Sequence, residues 1–148
     1  MEMVMVIAII GIIMAISVPK AFDLVTNMRK KAVSERLVED INFIRGYAMS
    51  NHDTTWLVVS QALNQYGLYS GPTAGTRVLI PDPHTGASGV LDLDIDYEGV
   101  SITSVSFGGG SELSFDWWGT PSEGGTVVMN SDRTITVIAE TGMAHETP

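Results

Sequence analysis

Glu2 is followed by sixteen residues without a charge, Met3 to Val18, and Pro19-Lys20 closes the run. At 1.5 Å rise per residue this is a helical rod of about 24 Å. A bilayer core requires slightly more, roughly 20 residues. A helix that is apolar all round has no place on the surface of a small soluble domain, so lipid or the interior of an assembly has to cover it. Few folds accommodate such a segment at one end.

From Ala21 to Ser50 the spacing changes. Phe22, Val25, Met28, Ala32, Leu37, Ile41, Ile44 and Ala48 recur at steps of three to five among charged residues, and no Gly or Pro intervenes before Gly46. This is an amphipathic helix with one apolar stripe. Because the pattern resumes directly after Pro19, the proline is expected to kink a continuous helix or mark a junction in it rather than end it. Beyond residue 53 the period becomes two. Short runs rich in aromatic and β-branched residues cover 54–60, 65–69, 77–80, 101–107, 112–118, 126–130 and 133–139. Leu91, Leu93, Ile95 and Tyr97 alternate with Asp92, Asp94, Asp96 and Glu98, predicting a further strand with one wet face. Gly108-Gly-Gly110, Gly119-Thr-Pro121, Gly124-Gly125 and Ser131-Asp132 supply turns. The expected fold class is α+β, with a long N-terminal helix packed on an antiparallel β-sheet head. Three segments follow: a transmembrane or filament-core helix over 1–19, an amphipathic helix over 20–52, and a β-rich head over 53–148.

Charge and composition remove several functions. Residues 20–50 hold six Lys/Arg against four Asp/Glu, a net of +2; residues 51–148 hold twelve acids against Arg77 and Arg133, a net of −10. A polyanion is repelled by such a head, so nucleic acid is not an expected partner. The chain has no cysteine, which rules out disulfides and thiolate metal sites. His52, His84 and His145 lack ligand spacing, and no metal or other cofactor is expected. The acidic run 92–98 lacks the Gly and the Glu of a calcium loop at its sixth and twelfth positions, where Tyr97 and Thr103 stand. Carboxylates two apart on a strand lie in line rather than converge, so a solvated face is the reading. No nucleophile elbow, Ser-x-x-Lys pattern or phosphate loop is present, and the chain is not read as an enzyme. Trp117-Trp118, placed on a strand, would face opposite sides, one in the core and the other exposed as a candidate partner contact.

The spacing of Glu2, Gly11 and Pro19, nine residues from acid to glycine and eight more to proline, resembles the N-terminal signature of type IV pilins and pseudopilins. The remainder is similar to one branch, the GspH/FimT-like minor pseudopilins and pilins. Leu37 with Arg45-Gly-Tyr-Ala48 matches its helix pattern. Phe115…Gly119, Gly124-Gly-Thr-Val127, Thr134-Ile-Thr-Val137 and Thr141-Gly142 match its tail. Between about 61 and 112 no motif is shared.

The resemblance implies a structural subunit of a type II secretion pseudopilus or type IV pilus. It would be held in the bacterial inner membrane by a single pass, with its head in the periplasm, and would then enter a periplasmic or extracellular filament. Its partners would be other pilin or pseudopilin subunits. The resemblance gives Glu2 the role of setting subunit register, and Gly11 and Pro19 that of local bending and packing. The family carries a basic leader and a few mature residues ahead of the acid. These are expected upstream of Met1, where prepilin peptidase would cut and the new N-terminus would be methylated. A basic leader would also counter Lys20, Arg29, Lys30 and Lys31, which on their own favour a cytoplasmic head. DNA-binding members of the FimT kind depend on basic residues near the C-terminus; residues 141–148 contain none, so DNA uptake does not transfer. The competing reading is a monomeric membrane-anchored periplasmic binding module.

Overall fold

The computed structural model of the chain describes residues 2–87 and 90–147, the side chains of Glu2 and of residues 15–22 excepted. Helix α1 runs without a break over Glu2–Asn51. Its second half carries the stripe that builds the core. Val33, Leu37, Ile41, Ile44 and Ala48, at steps of four, four, three and four, are completely buried. That spacing keeps the five residues on one face, and burying each of the larger ones contributes roughly 1.5–3 kcal/mol. The stripe begins later than its sequence suggests: Val25, Met28 and Ala32 are exposed, and complete burial along the helix starts at Val33. The helix ends in a left-handed residue, His52 (φ 53), and the Asp53 N–H turns back to donate to the Ala48 carbonyl at 3.3 Å.

Two antiparallel sheets share that stripe. The first is ordered β3-β2-β1-β6, from β1 (Thr55–Ser60), β2 (Gln65–Ser70), β3 (Val78–Leu79) and β6 (Glu112–Phe115), and β4 (Leu91–Asp92) also pairs with β2. The second is ordered β5-β7-β8-β9, from β5 (Ile102–Phe107), β7 (Gly125–Met129), β8 (Arg133–Val137) and β9 (Ala144–Thr147). Helix α1 touches β1, β2 and β6 of one sheet and β8 and β9 of the other. Period-two alternation sends Leu57, Val59, Leu113, Phe115, Val127, Met129, Ile135 and Val137 inward, where they pack with the stripe into one core. The fold is therefore the expected α+β arrangement, with the strands divided between two sheets.

Three segments depart from the expected strands. The alternating run after Leu91 is a strand for two residues only and then turns into the short helix α2 (Leu93–Asp96). The Asp92 carboxylate caps it, accepting from the Asp94 N–H at 3.0 Å. Leu93 and Tyr97, four apart, face inward, and Ile95 is left 80% exposed. Asn64 fixes this geometry. Its amide donates to Asp94 Oδ1 at 2.7 Å and to the Val100 carbonyl at 2.8 Å, and its oxygen accepts from the Ile102 N–H at 2.8 Å. Asp92 is thus a helix cap and Asp94 a hydrogen-bond acceptor, and the run does not form the expected strand. Second, β6 stops at Phe115, so Trp117 and Trp118 lie on a turn and both are exposed. Third, β9 forms in the polar tail, where no strand was expected, by pairing with the open edge of β8. The ion pair of Arg133 with Glu146 spans that pairing.

Candidate assembly surface

The first half of α1 stands clear of the head. Met3 to Met14 are all exposed, from 81% at Met3 to 48% at Ile10 among the large apolar side chains. A methyl group at Gly11 would meet nothing within 4 Å. Apolar surface of this extent on every side of one rod is far beyond the scattered exposure normal for a monomer. Glu2 and Pro19 lie on the same helix, but their side chains fall outside those described. Glu2, Gly11 and Pro19 are therefore strung along one helix. Among the described residues no helix is long and apolar enough to cross a membrane.

Polar contacts lock the lower head to the helix. Arg29 donates to the Glu98 carbonyl at 3.0 Å, and Lys30 Nζ meets Asp132 Oδ2 at 2.8 Å. Further along, Arg36 and Asp40, one turn apart, gather residues distant in sequence. Arg36 donates to Asp82 Oδ2 at 2.6 Å and to the Tyr97 hydroxyl at 3.2 Å. The buried Asp40 carboxylate accepts from the Tyr66 hydroxyl at 2.6 Å, and its other oxygen lies 3.1 Å from His84 Nε2. Arg36, Asp40, Tyr66, Asp82 and Tyr97 line a groove of about 550 Å³, bounded also by Leu68 and Ile80. Sequence reasoning passed over these groups. The available signal was the Arg36/Asp40 pair at i,i+4 on the flank of the apolar stripe; their partners Tyr66, Asp82 and His84 are contributed by β2 and the loop after β3.

Burial pushes the Asp40 carboxyl above its ordinary range, against the Tyr66 hydrogen bond and the nearby His84 and Arg36, which pull it down. Burial and then the Asp40 charge raise the Tyr66 phenol well above its ordinary value. Burial also acts to raise Asp82, yet the Thr85 hydroxyl, the His84 N–H and Arg36 together hold it below the usual carboxylate range. A raised carboxyl stabilises the fold fully below its unfolded-state pKa, and that contribution is lost as pH rises through the folded-state value. Asp40→Asn removes the titration while its amide oxygen still accepts from Tyr66. Wild type should therefore gain stability relative to Asp40→Asn as pH falls from about 7 to about 4, read from urea midpoints. A gap that stays constant with pH contradicts this.

At the far end of the head, α1, β6 and the tail meet around one turn. Asp116 Oδ1 accepts from the Trp118 N–H at 3.0 Å and the Thr120 N–H at 2.8 Å. Gly119, with φ +78, completes the turn, and its carbonyl accepts from Arg45 Nε at 3.1 Å. A side chain on Gly119 would come within 2.9 Å of Met49 Sδ, so glycine serves here both for its left-handed φ and for the close approach of helix and turn. Arg45, Phe115, Gly119 and Gly142 thus meet in space. Trp117 and Trp118 stand outward, 45% and 67% exposed, with ring centroids 4.1 Å apart. Neither is core, because the strand that would have placed one inside ends two residues earlier. Among the described residues no cluster of three His, Asp or Glu side chains suits a metal ion.

The fold is similar to two solved structures of the minor pseudopilin EpsH from the type 2 secretion system of Vibrio cholerae. Each has a TM-score of 0.63 and 10% sequence identity, and covers 80% of this chain. The match extends over 94% of one of those chains and 95% of the other. At that identity the likeness is one of fold, which is pseudopilin-like. No protein-family model and no curated protein matches the chain.

Proposed function

We propose that the chain is a structural subunit, a minor pseudopilin or pilin of the GspH/FimT-like kind, that assembles through its N-terminal helix into a type II secretion pseudopilus or a type IV pilus. The observation that carries this reading is the bare apolar half of α1, joined without a break to a head of pseudopilin-like fold. In this reading residues 1–19 rest in the inner membrane and then exchange lipid for neighbouring helices. Residues 20–52 tie that rod to the head, and residues 53–148 remain periplasmic and make lateral contacts. Glu2 sets register against a neighbouring subunit, while Gly11 and Pro19 permit bending and close packing. A leader upstream of Met1, removed by prepilin peptidase and followed by methylation, completes the pathway. The subunit's work is mechanical rather than enzymatic.

Replacing Glu2 with Ala tests the proposal. Loss from filaments with retention in the membrane supports assembly through the helix. Unchanged incorporation overturns the register role of Glu2, and a protein never found in filaments supports the monomeric anchored module instead.

A further inference from the structure

The paired tryptophans at the far end of the head belong neither to the core nor to the helix that would enter a filament. Both indoles are exposed and lie side by side. The turn is fixed by the two hydrogen bonds to Asp116 and by the bond from Gly119 N–H to the Asp116 carbonyl at 2.8 Å. Trp117 also lies against His52, with ring centroids 6.1 Å apart. A turn fixed in this way loses little backbone freedom on binding, and buried tryptophans dominate interface energetics.

The charge around the turn selects the partner. Asp116 is part of the turn, and Glu140 lies two residues from Gly142; Asp53 follows His52, its carboxylate accepting from the Thr54 N–H and the Ser70 hydroxyl, each at 2.8 Å. A side chain on Gly142 would come within 3.2 Å of the Gly119 carbonyl. None of these three acids is in an ion pair among the described residues, whereas Arg77 and Arg133 are held by Glu112 and Glu146. Against the three acids stands Arg45, whose Nε donates to Gly119. The wider head, with twelve acids against two arginines, repels a second copy of itself, nucleic acid and anionic lipid alike. A guanidinium satisfies both features, since it stacks flat on an indole and pairs with carboxylates. We propose that the Trp117/Trp118 turn is a docking surface for a protein partner that presents arginine side chains. The proposal does not depend on assembly through α1.

The test uses the full chain in detergent or nanodiscs and three labelled peptides of equal length, Gly-Arg, Gly-Lys and Gly-Glu repeats, followed by fluorescence anisotropy. The Arg peptide should bind most tightly, the Lys peptide more weakly and the Glu peptide not at all, with affinity falling as salt is raised. Trp118→Ala and the Trp117→Ala/Trp118→Ala pair should weaken the Arg peptide about two- to thirtyfold. Trp118→Leu, which keeps apolar surface without an indole face, should erase the preference of Arg over Lys. Unchanged circular dichroism establishes that the variants fold. Equal binding of the Arg peptide by wild type and the double variant overturns the proposal. So does binding of the Glu peptide, or a Trp118-dependent self-association in sedimentation, which would make the occupant a second copy.

Discussion

Glu2→Ala is expected to lower incorporation into filaments by at least about a hundredfold while leaving the amount in the membrane unchanged. The asymmetry follows from what the substitution leaves intact. Met3 to Val18 keep every apolar side chain, so affinity for lipid is unaffected. In the proposed assembly, by contrast, a carboxylate in the first turn would be out of water and would need a partner; the N-terminal amine of a neighbouring subunit would supply one in a single axial register. Removing one member of a buried pair costs about 3–5 kcal/mol, because the other member is left charged and unpaired. Glu2→Gln, which retains hydrogen bonding without charge, should fall between. Quantitative immunoblots of sheared filaments and of membranes from the same cells measure both quantities.

Gly125→Ala is expected to destabilise the head by about 3 kcal/mol, a large part of the roughly 5–15 kcal/mol that holds a domain together. Gly125 opens β7, paired with Phe107 of β5 on one side and Val137 of β8 on the other. A methyl group there would overlap the Ser106 carbonyl oxygen and lie 2.6 Å from Phe107 Cδ1 and 2.8 Å from Phe107 Cα. Two of these obstacles are backbone, which cannot rotate away, and Phe107 is anchored in the core. Yielding toward β8 is closed as well, because Gly124 already sits where a side chain would meet the Val137 carbonyl and the Ala139 N at 2.9 Å. The β5–β7 pairing must therefore open at this end. Gly46→Ala is the contrasting control. It lies inside α1 with nothing within 4 Å, and should stabilise by about 0.5–1 kcal/mol through lower chain entropy. Guanidinium unfolding of both variants, followed by circular dichroism, gives the two shifts; equal shifts would contradict the packing account.

The long helix and most strands were readable because their periods persist over many residues. Leu37, Ile41, Ile44 and Ala48 give the helical stripe, and the inward residues of β1, β7 and β8 alternate cleanly. Where a pattern is short, the two periods coincide. Leu93 and Tyr97 are both two alternations of a strand and one turn of a helix, and the choice between them rests on Asp92 as a cap and on Asn64, 29 residues before Leu93. The tail strand Ala144–Thr147 carries little strand propensity and exists because β8 offers it an edge. Trp117 and Trp118 continue an aromatic run past Phe115, but the hydrogen bonds of Asp116 end the strand ahead of them. The groove cluster was hidden for a different reason, since Arg36 and Tyr97, or Asp40 and His84, meet only once the chain is folded. The glycine-marked tail motif was visible as a pattern; the structure supplies its reason, the close approaches at Gly119, Gly124 and Gly125.

The central claim is that neighbouring subunits cover the bare half of α1. A photoreactive phenylalanine analogue at Ile10, which is exposed in the isolated chain, tests it in cells that assemble filaments, with a second copy of the analogue at exposed Ile95 as the comparison. The account predicts adducts from position 10 to the N-terminal helix of another pilin-like subunit, identified by mass spectrometry and lost in Glu2→Ala. Adducts to lipid alone, in wild type and variant alike, would contradict it.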